Sequence, residues 1–93
     1  MKVTKTADVD AALRTLDADE RQQVTSWFDQ LGNWESDARL RKMTKATTYK
    51  DTYALNTPDD MRIFFTLNEV NREIVVIDLA RPSRFEFAGA ALE

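Results

Sequence analysis

Residues 61–84, MRIFFTLNEVNREIVVIDLARPSR, contain the strongest fold signal in the sequence. Two apolar runs, MRIFFTL and EIVVIDLA, flank the polar segment NEVNRE. Apolar β-branched and aromatic runs separated by a short polar segment are typical of two antiparallel strands joined by a turn. Pro82 cannot donate to a strand ladder, so we expect the second strand to end there. The stretch predicts a β-hairpin with two arginines, Arg62 in the first strand and Arg81 just past the second.

The segment before this hairpin also alternates. In TTYKDTYALNT, residues 47–57, one side of a predicted strand carries Tyr49, Asp51, Tyr53 and Leu55, and PDD follows as a turn. At the start of the chain KVTKT, residues 2–6, alternates weakly and predicts a short first strand. The hairpin, the strand before it and this first strand make up the predicted sheet.

Two helices are predicted between the first strand and the rest of the sheet. Residues 7–17, ADVDAALRTLD, have apolar side chains at helical spacing. The second helix follows Asp17, a plausible N-cap with Glu20 three residues on, and reaches Gly32, which suits a C-terminal cap. Its apolar stripe at i, i+3, i+4 and i+7 consists of Val24, Trp27, Phe28 and Leu31. NWESDARLRKM, residues 33–43, predicts one further short helical turn.

The order of these elements predicts an α+β domain. It has an N-terminal strand, two helices and then a three-stranded antiparallel meander, with the helices packed on one face of the sheet. We expect the stripe of the second helix to pack on the last two strands, against Ile63, Phe65, Ile74 and Val76. Residues 1–91 form one domain, and Leu92 and Glu93 are set aside as residues that a cloning step can add.

The composition excludes several classes of function. With no cysteine and no histidine in 93 residues, the chain has no disulfide, no thiol nucleophile and neither of the usual zinc ligands. Neither a metal site nor a cofactor is therefore predicted. No apolar run is long enough to cross a membrane, and the start MKVTKTADVD lacks the apolar core of a secretory signal. We expect a cytoplasmic protein with no membrane partner.

The formal net charge is −3, yet one segment is strongly basic. RLRKMTKATTYK, residues 39–50, has five basic residues and no acid: Arg39, Arg41, Lys42, Lys45 and Lys50. Two interpretations are open. Such a run is most often a solvated helix end or loop, and the alternative is a patch that contacts phosphates.

The two arginines of the hairpin have a predictable geometry. A two-residue loop at residues 70–71, or a four-residue loop at residues 69–72, places Arg62 opposite Leu79 and Arg81 diagonally beside Arg62. A three-residue loop sends Arg81 to the other face. Instead of sharing one anionic group, the arginines can form ion pairs at the sheet rim, with Asp59, Asp60, Asp78 or Glu86 as partners.

Two long segments, ADVDAALRTLDADERQQVTSWFDQL and TYALNTPDDMRIFFTLNEVNREIVVIDLARPSRFEF, resemble the RelE/ParE toxin superfamily of bacterial and archaeal toxin–antitoxin systems. In that family two helices precede a sheet with an R-[IV]-x-[FY] strand. The next strand runs IVVL into a basic cluster near a terminal aromatic residue. Arg62 in MRIFF matches the strand arginine. Arg81, or else Arg84 in ARPSRFEF, matches the arginine of the terminal cluster.

The resemblance implies a toxin whose partner is a cognate antitoxin. In the ribonuclease branch, the toxin enters the ribosomal A site and cleaves mRNA by attack of a ribose 2′-hydroxyl on the adjacent phosphate. The resemblance implies Arg62 and Arg81 as catalytic residues. Interpreted as a phosphate-contacting patch, the basic segment adds RNA-binding candidates, and with Arg84 of the terminal cluster they are Arg39, Arg41, Lys42, Lys45, Lys50 and Arg84.

The chain departs from the ribonuclease branch at the residues that transfer protons. Where the branch has strand lysines this chain has Tyr53 and Leu55, and Phe87 replaces a terminal tyrosine. The remaining candidates for proton transfer are Tyr49, Tyr53 and Glu86. A ParE-like inhibitor that binds DNA gyrase, or a catalytically inactive toxin homologue or adaptor, is therefore the alternative.

Overall fold

The computed structural model describes residues 1–80 of the chain. Three helices and five strands lie within them, and they follow one another in this order: β1 (Lys2–Lys5), α1 (Ala7–Arg14), α2 (Ala18–Leu31), α3 (Ala38–Lys42), β2 (Thr44–Ala46), β3 (Thr52–Asn56), β4 (Arg62–Asn68) and β5 (Glu73–Ala80). The predicted α+β class is confirmed, and α3 is the short helical turn expected before the sheet.

The strands form one mixed sheet in the order β1-β5-β4-β3-β2. Strands β2 to β5 are an antiparallel meander, and β1 runs parallel to β5 at one edge. The meander therefore has four strands where three were predicted. The extra strand, β2, is three residues long, and so short a segment shows too little alternation to be recognised in a sequence.

Strand β3 also begins later than predicted. Tyr49 and Asp51 belong to a loop, residues 47–51, and the strand starts at Thr52. The backbone of Asp51 has φ 55°, a left-handed conformation that no strand residue adopts and that Asp tolerates better than most residues. Tyr53 and Leu55 do lie on one side of β3, as predicted, and that side faces the helices.

The predicted caps of α2 are confirmed. The Asp17 carboxylate accepts a 2.8 Å hydrogen bond from the backbone N–H of Glu20, and Gly32 follows the last helical residue. Similar bonds begin the other helices, since Thr6 caps α1 and Asp37 caps α3. Each cap satisfies an amide that the first helical turn leaves unpaired.

The hydrophobic core lies between the helices and one face of the sheet. Val24, Trp27 and Leu31 of α2 are buried in it, and Phe28 is partly buried against it. The four sheet residues predicted as partners are fully buried in the same core: Ile63, Phe65, Ile74 and Val76. This packing confirms the match between the helical stripe and the strand alternation. None of the described helices packs on the opposite face of the sheet.

Candidate functional site

Arg62 begins β4 and lies opposite Asn56 on β3 and Ala80 on β5. At the far end of the hairpin Asn68 pairs with Glu73, so the connecting loop is residues 69–72, one of the two predicted loops. Between these points the register shifts at Phe64/Phe65. Arg62 therefore faces Ala80, and the predicted partner Leu79 is wrong.

The cause of the shift is a β-bulge on β5. Phe64 pairs with Asp78 and Phe65 with Val76, which leaves Ile77 as an extra residue. A bulge places two residues of one strand opposite one residue of the other. The bulge-free register was the basis for placing Arg81 diagonally beside Arg62, and the observed register removes that basis. Arg81, Arg84, Glu86 and Phe87 lie outside the described residues.

Arg62 projects from the face of the sheet that lies away from the helices. Residues directly opposite one another in antiparallel strands share a face, and successive residues alternate. Because Ile63 and Phe65 point into the core, Arg62 and Phe64 point the other way. We call this second surface the Arg62 face, and on β3 and β4 it consists of Thr52, Ala54, Asn56, Arg62, Phe64 and Thr66.

The Arg62 side chain is half-buried and has one polar partner among residues 1–80. Its Nε donates a 2.9 Å hydrogen bond to Oδ1 of Asn56, the residue opposite on β3. This bond fixes the guanidinium plane and leaves both Nη groups without a partner in the described part of the chain. Two terminal nitrogens on a fixed guanidinium suit a bidentate contact with a phosphate.

The ion pairs proposed for Arg62 at the sheet rim do not form within the described residues. The Asp59 carboxylate accepts a 3.0 Å bond from the Trp27 indole N–H, and Asp78 accepts from the Leu79 amide. No salt bridge joins Arg62 to an acid in residues 1–80. Among residues 1–80 the half-buried Arg62 guanidinium is therefore held by an amide and not by a carboxylate.

The two arginines of the basic segment have structural partners. Arg41 donates from Nη1 to the carbonyl oxygens of Trp34, at 2.6 Å, and Glu35, at 3.1 Å. Arg39 donates to the side-chain oxygen of Gln30 at 3.1 Å. These three bonds tie α3 to the end of α2 and the turn after it.

The three lysines of the basic segment are different. Lys42, Lys45 and Lys50 are exposed, and none of their ammonium groups has a hydrogen bond or ion pair within residues 1–80. Lys42 ends α3, Lys45 lies on β2, and Lys50 lies in the loop before β3, so all three border the same edge of the sheet. We call this set the lysine edge.

The lysine edge is continuous with the Arg62 face. Lys45 pairs with Ala54, which in turn pairs with Phe64, and paired residues share a face. Two strand spacings and two residues along the strand separate Lys45 from Arg62, about 12 Å between Cα atoms. A single phosphodiester chain can therefore contact both.

Two residues of this site were not singled out in the sequence. Asn56 orients Arg62, and Phe64 places an aromatic ring two residues along β4 on the same face. Phe64 follows from alternation once Ile63 and Phe65 are assigned to the core. Asn56 becomes visible only through the pairing of β3 with β4, which no local pattern specifies.

The chain is similar to known proteins in structure but not in sequence. No protein-family model matches the chain, and no curated protein is significantly similar to it. A double arginine-to-alanine mutant of the E. coli toxin RelE, bound to a peptide of the antitoxin RelB, matches with a TM-score of 0.69. The match covers 99% of this chain and 94% of that one at 16% identity. The chain has the RelE fold.

Two further RelE structures give the same result. The free form of the RelE mutant has a TM-score of 0.66 and 16% identity, over 98% of this chain and 93% of that one. Isolated E. coli RelE, in a P21 crystal form, has a TM-score of 0.65 and 12% identity, over 99% and 98%. The fold expected from the resemblance to RelE is thus confirmed, while at such identity the chemistry of the site has to be argued from its own residues.

Two other kinds of feature are absent from the described residues, a metal-binding group of acidic side chains and a membrane-spanning helix. In residues 1–80 no group of three acidic side chains is placed to hold a metal ion. None of the helices α1 to α3 is long and apolar enough to cross a membrane.

Proposed function

We propose that this protein is the toxin of a type II toxin–antitoxin system and that it cleaves mRNA on the ribosome. The observation that supports the proposal most directly is the position and hydrogen bonding of the Arg62 side chain. On a RelE fold, the arginine that matches the family's strand arginine lies on the face away from the helices. It is oriented by Asn56, and its terminal nitrogens have no partner among residues 1–80.

The proposed reaction is attack of a ribose 2′-hydroxyl on the adjacent phosphate with loss of the 5′-oxygen. Negative charge accumulates on the phosphate in the transition state, and a fixed cation there lowers the barrier. Arg62 performs this role, and Asn56 holds its guanidinium in position. Arg81 is proposed as the second cation, and Arg84 as an RNA contact, by the resemblance of ARPSRFEF to the terminal cluster of the family.

The proton transfers are assigned to residues outside β3 and β4. Tyr53 lies on the helix side of the sheet, where its ring stacks on Phe65 with centroids 5.9 Å apart. Tyr49 lies in the loop at the end of β3 remote from Asn56. Neither candidate tyrosine adjoins Arg62, so we propose Glu86 as the remaining candidate of the three.

One observation favours a second function. On β3 and β4 no residue of the Arg62 face apart from the arginine is ionisable, and Asp78, opposite Phe64 on β5, already accepts a hydrogen bond from the Leu79 amide. An inhibitor that acts by binding DNA gyrase, as in the ParE branch, needs no acid–base pair. Gyrase inhibition is therefore the alternative function, with an inactive homologue or adaptor as the third.

The proposed partner is a cognate antitoxin in the cytoplasm. E. coli RelE, with which this chain shares its fold, has been solved bound to a peptide of its antitoxin RelB. We propose that this chain likewise binds an antitoxin encoded with it.

Expression of the chain without an antitoxin distinguishes the candidate functions. If it is a ribosome-dependent ribonuclease, growth should arrest and translated messages should acquire new internal ends. If it inhibits gyrase, messages stay intact while plasmid supercoiling falls. Arrest with neither signature contradicts both functions, and normal growth supports the inactive homologue.

The lysine edge gives a second expected result. Replacing Lys42, Lys45 and Lys50 together by glutamine should reduce the salt dependence of RNA binding, because each lysine releases counterions when it meets a phosphate. For single-stranded RNA, the slope of log K against log salt should fall by about 2, or about 0.7 for each lysine. The measurement is fluorescence anisotropy with a short 2′-O-methyl RNA, which cannot undergo 2′-hydroxyl attack.

Lys2 provides the matched control for this change. It is an exposed lysine on β1, at the opposite edge of the sheet, and it too has no side-chain partner within residues 1–80. Lys2→Gln should leave the salt slope unchanged, whereas Lys45→Gln should lower it. Equal effects of both changes would mean that binding follows net charge and that the lysine edge has no special role.

A further inference from the structure

The loop at residues 47–51 exposes an aromatic side chain beside the lysine edge. Tyr49 is 76% exposed, and the other large hydrophobic residue exposed in residues 1–80 is Val70, at 93%. Every other aromatic ring in the described part of the chain is at least half-buried. Within residues 1–80, neither packing nor a hydrogen bond from its hydroxyl group accounts for the position of the Tyr49 side chain.

The loop is nevertheless held in one conformation by its own hydrogen bonds. Thr47 donates to the Thr52 carbonyl from its backbone N–H, at 3.0 Å, and from its hydroxyl, at 2.9 Å. The Thr47 hydroxyl oxygen also accepts from the Tyr49 amide at 3.2 Å, and the Tyr49 carbonyl accepts from the Thr52 amide at 3.3 Å. Because the loop is already ordered in the free protein, binding through Tyr49 does not incur the entropic cost of ordering it.

The charges around the loop indicate which ligand fits. On one side are Lys50 and Lys45, both without a partner in residues 1–80. On the other side is a groove of about 610 Å³, lined by Asp51, Glu69 and Val70 and also by Lys50. In this groove two carboxylates outnumber the single ammonium group, so an anionic chain is directed from Tyr49 toward Lys45 on β2 and not toward the β4–β5 loop.

We propose that Tyr49 is a positioning residue that stacks on one base of the single-stranded RNA substrate. Aromatic rings flanked by unpaired lysines are the usual elements of single-strand binding, where the ring takes the base and the lysines take the phosphates. This inference rests on the proposed function, since it takes RNA as the substrate. Strand β3 runs from Thr52, next to the loop, to Asn56, four residue intervals or about 13 Å at the usual rise. Tyr49 therefore holds the RNA several nucleotides from the phosphate at Arg62.

The test uses the full chain and a short 2′-O-methyl RNA in which one base is 2-aminopurine, whose fluorescence falls when it stacks. Tyr49→Leu keeps an apolar side chain but removes the ring, and it should weaken binding about tenfold and abolish the quenching. Tyr49→Phe keeps the ring and should retain both. Unlike the lysine changes, Tyr49→Leu should not alter the salt slope, because stacking releases no counterions.

Val70→Ala is the control, because it truncates the other exposed apolar side chain outside the proposed RNA path, and it should leave affinity and quenching unchanged. Wild-type affinity and quenching for Tyr49→Leu, or no binding of the RNA by the wild type, would overturn the inference. Failure of the proposed function looks different. If base stacking depends on Tyr49 but the protein cuts no message, the RNA-binding role of Tyr49 is supported and the ribonuclease function is contradicted. Message cutting that depends on Arg62 but not on Tyr49 would support the ribonuclease and contradict the stacking role of Tyr49.

Discussion

Replacing Trp27 with alanine is expected to lower the free energy of unfolding by about 3–5 kcal/mol, the usual cost of truncating a buried aromatic residue. Trp27 is only 9% exposed and belongs to the core formed with Val24, Leu31 and Phe65. Its indole N–H also donates to Asp59 at 3.0 Å, so truncation removes a hydrogen bond together with apolar contacts. Single domains have only about 5–15 kcal/mol of stability, so thermal or urea unfolding should show a large shift.

Two variants separate the causes of this loss. Trp27→Phe keeps most of the apolar volume without the N–H group, and the missing bond should cost about 1 kcal/mol. Tyr49→Ala truncates an exposed aromatic residue and should change stability by less than about 0.5 kcal/mol. A melting temperature near that of the wild type for Trp27→Ala would contradict the packing of α2 on the sheet.

The second large effect concerns activity. Arg62→Ala should raise the barrier to RNA cleavage by about 2–4 kcal/mol, as the loss of one positioned donor does at other active sites. Stability should change little, because within residues 1–80 the side chain makes a single hydrogen bond, to Asn56. Arg62→Lys should restore activity only in part, since an ammonium group lacks the planar fork of a guanidinium. Toxicity and melting temperature are measured on the same variants.

Arg14 supplies the control for Arg62. It is an exposed arginine on α1, remote from the Arg62 face, and its i,i+4 ion pair with Asp10 is of a kind that contributes little. Arg14→Ala should therefore leave both toxicity and stability near wild type. Full toxicity of Arg62→Ala would contradict a catalytic role for Arg62. A fall in stability without a specific loss of activity would show that Arg62 has a structural role.

The elements with a long periodic signal were predictable from the sequence. The stripe Val24, Trp27 and Leu31 fixes one face of α2, and alternation fixes which side of β4 enters the core. These two patterns are independent consequences of burial, so their agreement is sufficient to predict the packing. The caps at Asp17 and Gly32 were also visible, since capping depends on residues close in sequence.

The features that position the site depend on contacts between distant residues. The bulge at Ile77 lies in an apolar run on β5, where one extra residue disturbs no visible pattern, yet it moves the partner of Arg62 from Leu79 to Ala80. The basic segment shows the same limitation. Arg39 and Arg41 differ from the lysines because carbonyl and amide oxygens of α2 and the following turn lie within their reach, and the composition of the segment contains no sign of this.

The central claim is that this chain cleaves mRNA on the ribosome and that Arg62 stabilises the reacting phosphate. The most direct measurement adds the purified protein to ribosomes stalled on a defined message and maps the 5′ ends of the products. We predict cuts within the codon in the A site, no cuts in the same message without ribosomes, and a loss of about 30-fold or more with Arg62→Ala. An intact message on ribosomes, or equal cutting by the wild type and Arg62→Ala, would contradict the claim.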